Sequence, residues 1–239
     1  MVADPTIPIA VVIPTMNEAA RIGTLLQSLS VMDFHEVVIA DGGSDDGTVE
    51  IAARYPGVRI VPSRVGRGVQ INAGVQATRA PVLLLLHADT LLPADAIVLI
   101  RRELSNPATV AGCFRLCFDV AHPVLGLFAW CSRFETTVTT FGDQAYFLRR
   151  QAFDAVGGMR NWPFLEDVAL RKDLKQVGGF VKCRQAVVTS ARRFEKYGPI
   201  RTQLFNLLIL VSRLANTDQL SATALGICET KGTLEDSLA

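Results

Sequence analysis

The sequence predicts an α/β fold, with a mostly parallel but mixed central sheet and helices on both faces. Short apolar runs alternate with segments whose apolar residues recur at helical spacing, and these runs stop abruptly on polar residues. The run at residues 82–86 is apolar throughout, too short for a membrane span and typical of a strand buried on both faces. Since crossovers between parallel strands are right-handed, the carboxyl ends of these strands should meet at one edge of the sheet.

The predicted elements follow in chain order. Strands are predicted over residues 9–13, 37–40, 58–61 and 81–86, with helices over 18–29 and 68–78 between them. Then come a helix over 94–104, an alternating strand over 111–120, a strand over 145–149, a helix that opens on Glu166 and Asp167, and a strand over 187–191. The aromatic-rich stretch 122–141 is interpreted as core, although aromatic rings can also stack on a sugar. One domain is therefore predicted over residues 1–198.

Residues 199–216 place apolar side chains on one helical face, which predicts a C-terminal amphipathic helix. The segment is too short, and too interrupted by Asn206, to span a bilayer. Packing on the domain or pairing in a homodimer is favoured over a peripheral contact with a membrane. The polar residues 217–239 are predicted to form a mobile tail.

Composition excludes several classes of function. The net charge of +1 and the lack of a long basic run argue against a nucleic-acid partner. The five cysteines are odd in number and form no CxxC pair, which favours reduced thiols over a zinc site or a disulfide framework. The N-terminal residues lack the pattern of a secretory signal. We expect a cytoplasmic protein. Any contact with a membrane is expected at the inner face of that membrane.

Polar side chains follow the predicted strands at the edge where ligands bind in open α/β sheets. Thr15, Asp41 and Asp89 each stand at a strand exit, and together they suit a nucleotide with its hydroxyls and phosphates. A carboxylate such as Asp89 could hold a divalent cation on a phosphate, or it could cap the next helix. A dinucleotide-binding fold is disfavoured, because the first strand is followed by IPTMNEA rather than a glycine fingerprint.

The motifs IPTMNEA, IADGGSDDGT, GRGVQINAG, LLHADT and FLEDV, with their spacing, resemble the family 2 glycosyltransferases with the GT-A fold, and among them the branch called rSAM/selenodomain-associated transferase 2. The resemblance covers residues 9–193. It implies a nucleotide-diphosphate sugar of the UDP or GDP type and a divalent cation, Mn²⁺ or Mg²⁺. It also implies the nucleotide-binding residues Pro14, Thr15, Glu18, Asp41, Arg67, Asn72, His87 and Asp89, with Asp89 as the metal ligand.

Two positions depart from the family pattern. His87 stands where the metal motif usually has aspartate, and a contact with ribose or simple packing is favoured over metal ligation. The usual Ala-Arg-Asn is Gln70-Ile71-Asn72, so the arginine contact to the nucleotide is lost unless Arg67 supplies it.

The resemblance implies that Asp167 is the general base, with Glu166 beside it. An inverting transfer needs one carboxylate near the acceptor hydroxyl and a cation on the leaving diphosphate. The alternative is that both carboxylates only favour the start of a helix through its dipole. Further along the chain, Arg192 and Arg193 are candidates for the diphosphate or for plain surface. Gln144 and Trp162 are candidates for the acceptor side.

The sequence therefore predicts an inverting, metal-dependent glycosyltransferase with an unidentified hydroxyl acceptor. A nucleotide-sugar sensor or assembly subunit without turnover would keep the same site. A nucleotidyltransferase is a weaker alternative, because it would need a glycine-rich loop with Arg and Lys after the first strand, and that loop is missing.

Overall fold

The computed structural model describes residues 6–198 and 201–202. The strands are β1 (Ile9–Thr15), β2 (Glu36–Asp41), β3 (Val58–Pro62), β4 (Val82–Leu85), β5 (Thr90–Leu91), β6 (Thr109–Phe118), β7 (Tyr146–Arg149) and β8 (Gly179–Thr189). The helices are α1 (Ala19–Ser30), α2 (Thr48–Ala52), α3 (Arg67–Ala77), α4 (Ala96–Leu104), α5 (Pro123–Cys131), α6 (Arg150–Ala155), α7 (Glu166–Val177) and α8 (Arg192–Tyr197). A short 3₁₀ turn, Gly142–Gln144, precedes β7.

The described strands form one eight-stranded sheet in the order β3-β2-β1-β4-β7-β6-β8-β5. The β3, β2, β1 and β4 strands are parallel, as the alternation of strands and helices predicts. Antiparallel β7 lies between β4 and β6, β6 is parallel to β8, and β5 closes the order antiparallel to β8. The prediction of a mostly parallel, mixed sheet is confirmed.

The core lies on both faces of this sheet. Ile13 and Phe114 belong to a cluster packed under α1 and α4, whereas Val12 and Tyr146 belong to a second cluster under α3 and α7. Because neighbouring residues of a strand point to opposite faces, β1 supplies both clusters and is buried along almost its whole length. This arrangement confirms helices on both faces.

Some boundaries differ from the prediction. The strand predicted over residues 187–191 is the end of β8, which begins at Gly179; Lys182, Arg184 and Gln185 hide the apolar pattern of its first part. The short helices α6 and α8 were not predicted. In α5 only Leu125 is buried, and the interpretation of 122–141 as core is wrong for two aromatic rings: Trp130 is 49% exposed and Phe134 is 47% exposed.

The predicted C-terminal helix and tail, residues 199–216 and 217–239, lie outside the described residues except for 201–202. Within the described part of the chain, no helix has the length and apolar character needed to cross a membrane.

Candidate active site

The carboxyl ends of β1 and β4 border a cavity of about 260 Å³. Acidic and basic side chains from distant segments of the sequence line it: Glu18, Asp89, Asp143, Glu166, Asp167, Arg67, Arg192, Arg193 and His87. Glu18 follows β1, His87 and Asp89 follow β4, and Arg67 begins α3. The 3₁₀ turn carries Asp143, and α7 opens with the two remaining carboxylates. The sheet thus gathers charged residues that lie far apart in the sequence, such as Glu18 and Arg192, which are 174 residues apart.

Backbone strain is concentrated beside the cavity carboxylates. Asn17, Ala145 and Leu165 are the residues other than glycine with positive φ in the described chain, at 56°, 51° and 60°. Each lies within two residues of a carboxylate of the cavity: Asn17 before Glu18, Ala145 after Asp143, and Leu165 before Glu166. Such conformations are uncommon for residues with a Cβ and are maintained by the surrounding structure.

Asp41 organises the loop that follows β2. Its carboxylate accepts hydrogen bonds from the hydroxyl of Thr15 at 3.0 Å, the hydroxyl of Ser44 at 2.6 Å, and the amides of Gly43 and Ser44 at 2.9 and 2.8 Å. Burial opposes its ionisation, but these bonds outweigh burial and lower the pKa of Asp41. Thr15 and Asp41 do not line the cavity, whereas their neighbour Pro14 does.

A buried ion pair joins the end of β1 to α8. The guanidinium of Arg192 donates to both carboxylate oxygens of Glu18, and it lies 3.7 Å from Asp89 Oδ2. Burial raises the pKa of Glu18, and Arg192 only partly opposes this effect. Arg192 therefore connects a residue predicted to contact the nucleotide with the predicted metal ligand.

A second ion pair crosses the cavity. Arg67 Nη1 lies 3.0 Å from Glu166 Oε1, and Glu166 is 1% exposed. This contact is an ion pair without a hydrogen bond, because Glu166 Oε1 has no hydrogen-bond partner in the described chain. Burial acts to lower the pKa of Arg67, but the charges of Glu166, Asp167 and Asp143 raise it. Arg67 is thus the cation on the acidic side of the cavity.

Asp167, 6% exposed, is held by a backbone donor. The amide of Gly142 donates a hydrogen bond to Asp167 Oδ2. A Cβ at position 142 would lie 3.1 Å from Cβ, 3.2 Å from Oδ2 and 3.5 Å from Cγ of Asp167, so glycine allows this close approach. The contact fixes the Asp167 carboxylate beside the 3₁₀ turn.

Burial shifts the pKa of two further side chains, His87 and Asp143. Burial, with the charges of Arg67, Arg193 and Arg192, lowers the pKa of His87 to about 3, so the imidazole is neutral at physiological pH. Burial, with the charges of Asp167 and Asp89, raises the pKa of Asp143 to about 7. The Oδ1 atom of Asp143 is buried and has no hydrogen-bond partner in the described chain.

Three residues predicted for the site have other partners. The Asn72 amide exchanges hydrogen bonds with the backbone of Met159 at 2.7 and 2.9 Å, outside the cavity lining. Gln144 lines the cavity, but its amide nitrogen donates to Thr139 and its oxygen faces Cys113 Sγ at 3.6 Å. Trp162 stacks under the guanidinium of Arg160 at 4.9 Å and is not part of the lining.

Among the charged residues of the lining, Asp143 is the one to which the sequence assigned no role of its own, although its segment, 142–144, was expected to face the acceptor. Gln70, also in the lining, donates to the carbonyls of Thr15 and Ala40 at 2.7 and 3.1 Å and so ties α3 to the ends of β1 and β2. The one signal for Asp143 was its place just before a strand that returns to the sheet centre, next to an aromatic segment.

The residues present fit a divalent cation held together with a diphosphate. Asp89 offers a carboxylate that is 18% exposed at a strand exit, and the neutral His87 stands two residues before it. No group of three His, Cys, Asp or Glu side chains suited to a metal occurs in residues 6–198 and 201–202. Mg²⁺ is usually bound by one or two carboxylates plus substrate phosphates rather than by a cage of protein ligands, so a single aspartate is sufficient.

The fold defined by this sheet is the GT-A fold, as comparison with solved structures shows. A mannosyltransferase from Pyrobaculum calidifontis, in complex with GDP-Man and Mn²⁺, superposes with a TM-score of 0.65 at 19% identity, over 95% of this chain and 77% of the other. Glucosyl-3-phosphoglycerate synthase from Mycobacterium tuberculosis, with Mn²⁺, UDP and glucosyl-3-phosphoglycerate, gives a TM-score of 0.61 at 19% identity, over 86% and 80%. The prediction of this fold is confirmed.

The chain belongs to glycosyl transferase family 2, whose family model matches residues 10–156. An uncharacterized glycosyltransferase of Mycobacterium tuberculosis is 28% identical over 134 residues, which is 56% of this chain. The chain spans 58% of the length of that relative. The family predicted from the sequence motifs is confirmed, and its rSAM-associated branch stays a prediction.

Proposed function

We propose that this protein is an inverting, metal-dependent glycosyltransferase that moves a sugar from a nucleoside-diphosphate sugar to a hydroxyl acceptor. The observation that carries the proposal is that Asp89 and Asp167 line one cavity, together with arginines from two other segments. Asp89 would serve the leaving diphosphate and Asp167 the incoming hydroxyl. Membership of family 2 and the nucleotide and Mn²⁺ complexes of the GT-A proteins support the same chemistry.

Asp167 would act as the general base. Its Oδ2 accepts the Gly142 amide, which orients the carboxylate and leaves Oδ1 to take the proton of the acceptor hydroxyl. Glu166 beside it faces Arg67 at 3.0 Å and is almost completely buried. Glu166 would therefore position Arg67 rather than compete for the proton.

Asp89, with His87 as a neutral neighbour, would hold the divalent cation. When bound, Mn²⁺ or Mg²⁺ supplies charge neutralisation to the leaving diphosphate. Arg192 lies 3.7 Å from Asp89, close to where the phosphates would be, and its fork suits phosphate oxygens. Arg193 lines the same cavity. The nucleotide would extend from there towards Pro14 and Glu18.

We place the reaction in a reducing compartment such as the cytoplasm. The four cysteines of the described chain, Cys113, Cys117, Cys131 and Cys183, are free thiols, which is the usual state of cysteine in that compartment. A homodimer and a contact with the inner face of a membrane stay predictions.

The proposal is tested by release of nucleoside diphosphate from a panel of UDP- and GDP-sugars with Mn²⁺. Asp167→Asn should lower turnover by about 10²–10⁴-fold, because it removes a general base. Asp154→Asn, on the exposed side of α6, is the matched control and should keep wild-type turnover. A wild-type protein that binds a nucleotide sugar without turning it over would be a sensor rather than an enzyme. Full activity of Asp167→Asn would exclude Asp167 as the base.

A further inference from the structure

Asp143 is a half-buried residue with one buried, unsatisfied carboxylate oxygen in the wall of the cavity. Its Oδ1 atom has no exposure to solvent and no hydrogen-bond partner in the described chain. The backbone on both sides of it is fixed: the Gly142 amide donates to Asp167, and the Ala145 amide donates to the Gly142 carbonyl at 3.2 Å. The side chain is thus held in the wall by its neighbours and not by contacts of its own oxygen.

The two cations whose charges act on Asp143, Arg67 and Lys182, both contact other groups. Lys182 Nζ donates to three backbone carbonyls and to Thr140 Oγ1 at 2.8–3.3 Å, and Arg67 faces Glu166. A buried acceptor without a donor is costly, and such groups are rare in folded proteins unless a ligand or an ion completes them. The strained Ala145, two residues along and 1% exposed, shows that the turn is maintained against its local preference. A ligand that carries a hydrogen-bond donor would supply the missing partner of Asp143 Oδ1.

The position of Asp143 indicates which part of the ligand it meets. Asp143 follows Gly142, whose amide is bonded to Asp167, and it lines the same cavity as Asp89. In an in-line displacement the transferred sugar lies between the incoming hydroxyl and the leaving diphosphate, which the proposed function assigns to Asp167 and Asp89. A diphosphate is itself an acceptor and would be repelled by a carboxylate. Sugar hydroxyls are donors and occur on every face of the ring.

We infer that Asp143 accepts a hydrogen bond from a hydroxyl group of the transferred sugar and so determines which donor sugar is bound. This inference rests on the proposed function, since it needs a nucleotide sugar in the cavity. Asp143 should contribute to the affinity for the sugar part of the ligand and should contribute nothing to the affinity for the nucleotide part. Substrates that lack the matching hydroxyl should be rejected, because they leave Asp143 buried without a partner.

The test compares Asp143→Ala and Asp143→Asn with the exposed control Asp154→Asn by titration calorimetry in the presence of Mn²⁺. The ligands are UDP and GDP, and then UDP-glucose, UDP-N-acetylglucosamine and GDP-mannose. Asp143→Ala should bind the nucleoside diphosphate within about twofold of wild type, whereas its affinity for the nucleotide sugar should fall at least about tenfold, the cost of one hydrogen bond to a charged acceptor. Asp143→Asn keeps an acceptor oxygen and should lose less.

Deoxyfluoro analogues of the best nucleotide sugar identify the hydroxyl, since fluorine cannot donate a hydrogen bond. One analogue should bind wild type at least about tenfold more weakly, yet bind Asp143→Ala no more weakly than the parent sugar does, which is the coupling expected of two groups in contact. Circular dichroism and the melting temperature check folding, and the removal of an unpaired buried charge should not reduce stability.

Equal binding of the nucleotide sugar by wild type and Asp143→Ala would overturn the inference and leave the proposed function standing. An equal loss of UDP or GDP affinity would overturn it too, because Asp143 would then act on the metal or the nucleotide. A wild-type protein that binds no nucleotide sugar of the panel would count against the proposed function and against this inference together.

Discussion

Glu18, which is buried, and Asp143, which is half-buried, are both acids of the cavity, and they differ in what balances their charge. Burial raises the pKa of each. Glu18 has the fork of Arg192 on both oxygens, whereas Asp143 Oδ1 has no partner within the described chain. Without ligand, the cavity therefore holds one acid that is paired with a cation, Glu18, and one whose buried oxygen has no partner in the described chain, Asp143. Removing the cation beside Glu18 should lower the stability of the fold, whereas removing the charge of Asp143 should raise it.

Asp143→Asn should stabilise the ligand-free protein, and more so at high pH. Because the folded pKa of Asp143 is raised to about 7, the buried side chain is mostly protonated at about pH 5 and becomes charged as the pH rises through 7. The stability that protonation provides is fully present below the ordinary pKa of 3.8 and is lost as the pH rises towards 7, and asparagine removes that loss. Urea unfolding should give a gain of roughly 1–2 kcal/mol at about pH 8 and much less at about pH 4. A gain that does not change with pH would contradict the assignment.

Arg192→Ala should destabilise the ligand-free protein by roughly 1–3 kcal/mol, because it leaves the Glu18 carboxylate buried without its cation. The side chain of Arg192 is 32% exposed, so the low end of this range is expected. The loss should be larger at about pH 8 than at about pH 5, where Glu18, with its raised pKa, can take up a proton.

The double variant Glu18→Gln with Arg192→Gln is the matched control for this ion pair. It removes both charges and keeps similar volume, so urea unfolding should show that it recovers more than half of the loss. Additive effects of the two single substitutions would show that Arg192 does not balance Glu18.

At the scale of single residues, the sequence predicts the members of the site whose position follows from a strand end or a motif. Asp89 follows a continuous apolar run, and Asp167 opens a helix in FLEDV. Asp143 could not be predicted in this way, because its place depends on antiparallel β7 and on a turn bonded to Asp167. Asn72 was predicted to bind nucleotide, yet the loop that carries Met159 takes both ends of its amide.

At the scale of elements, the parallel half of the sheet is the part that sequence predicts best. The β1, β2 and β4 strands are buried on both faces and therefore read as unbroken apolar runs. Strand β8 contains polar residues among apolar ones, because its Lys182 holds the loop after α5 through four hydrogen bonds. The charge of Lys182, which makes this long-range contact, interrupts the apolar pattern by which β8 could be recognised in the sequence.

Helix α3 reaches the cavity only because glycine lets its first turn approach a neighbouring loop. A Cβ on Gly68 would overlap the carbonyl oxygen of Arg160, a backbone atom that cannot move aside cheaply. Gly68→Ala should therefore destabilise the protein by about 1–3 kcal/mol, as overpacking does. It should also displace Arg67, the preceding residue, and weaken any ligand that Arg67 touches. Urea unfolding and ligand titration measure the two effects.

Gly126→Ala is the control within another helix. Gly126 lies inside α5, and a Cβ there would meet nothing within 4 Å. Since alanine is favoured over glycine in a helix interior, this variant should be neutral or up to about 1 kcal/mol more stable. Equal destabilisation by both substitutions would show that the contact with the Arg160 carbonyl is not the reason for the loss at Gly68.

At the scale of the whole molecule, the eight-stranded sheet is what makes one site out of distant segments. Glu18, Asp89 and Asp167 lie on different elements of the chain and meet at one cavity, whose five carboxylates outnumber its three arginines. Each contributes little to a local pattern, and the sheet order sets their convergence. An acidic cavity with a single strand-exit ligand, Asp89, should gain stability when a cation and a diphosphate enter together.

This coupling gives the last prediction. UDP or GDP with Mn²⁺ should raise the melting temperature in a concentration-dependent way, because a ligand that binds only the folded state stabilises it by about 2.7 kcal/mol at a hundredfold excess over Kd. For a chain of 239 residues this corresponds to a shift of about 5–10 °C. Asp89→Asn should lose the part of the shift that depends on Mn²⁺, while Asp154→Asn should retain it. A shift that is the same with and without Mn²⁺, or that survives in Asp89→Asn, would mean that the arginines alone bind the diphosphate, and the metal would then have no place in the reaction.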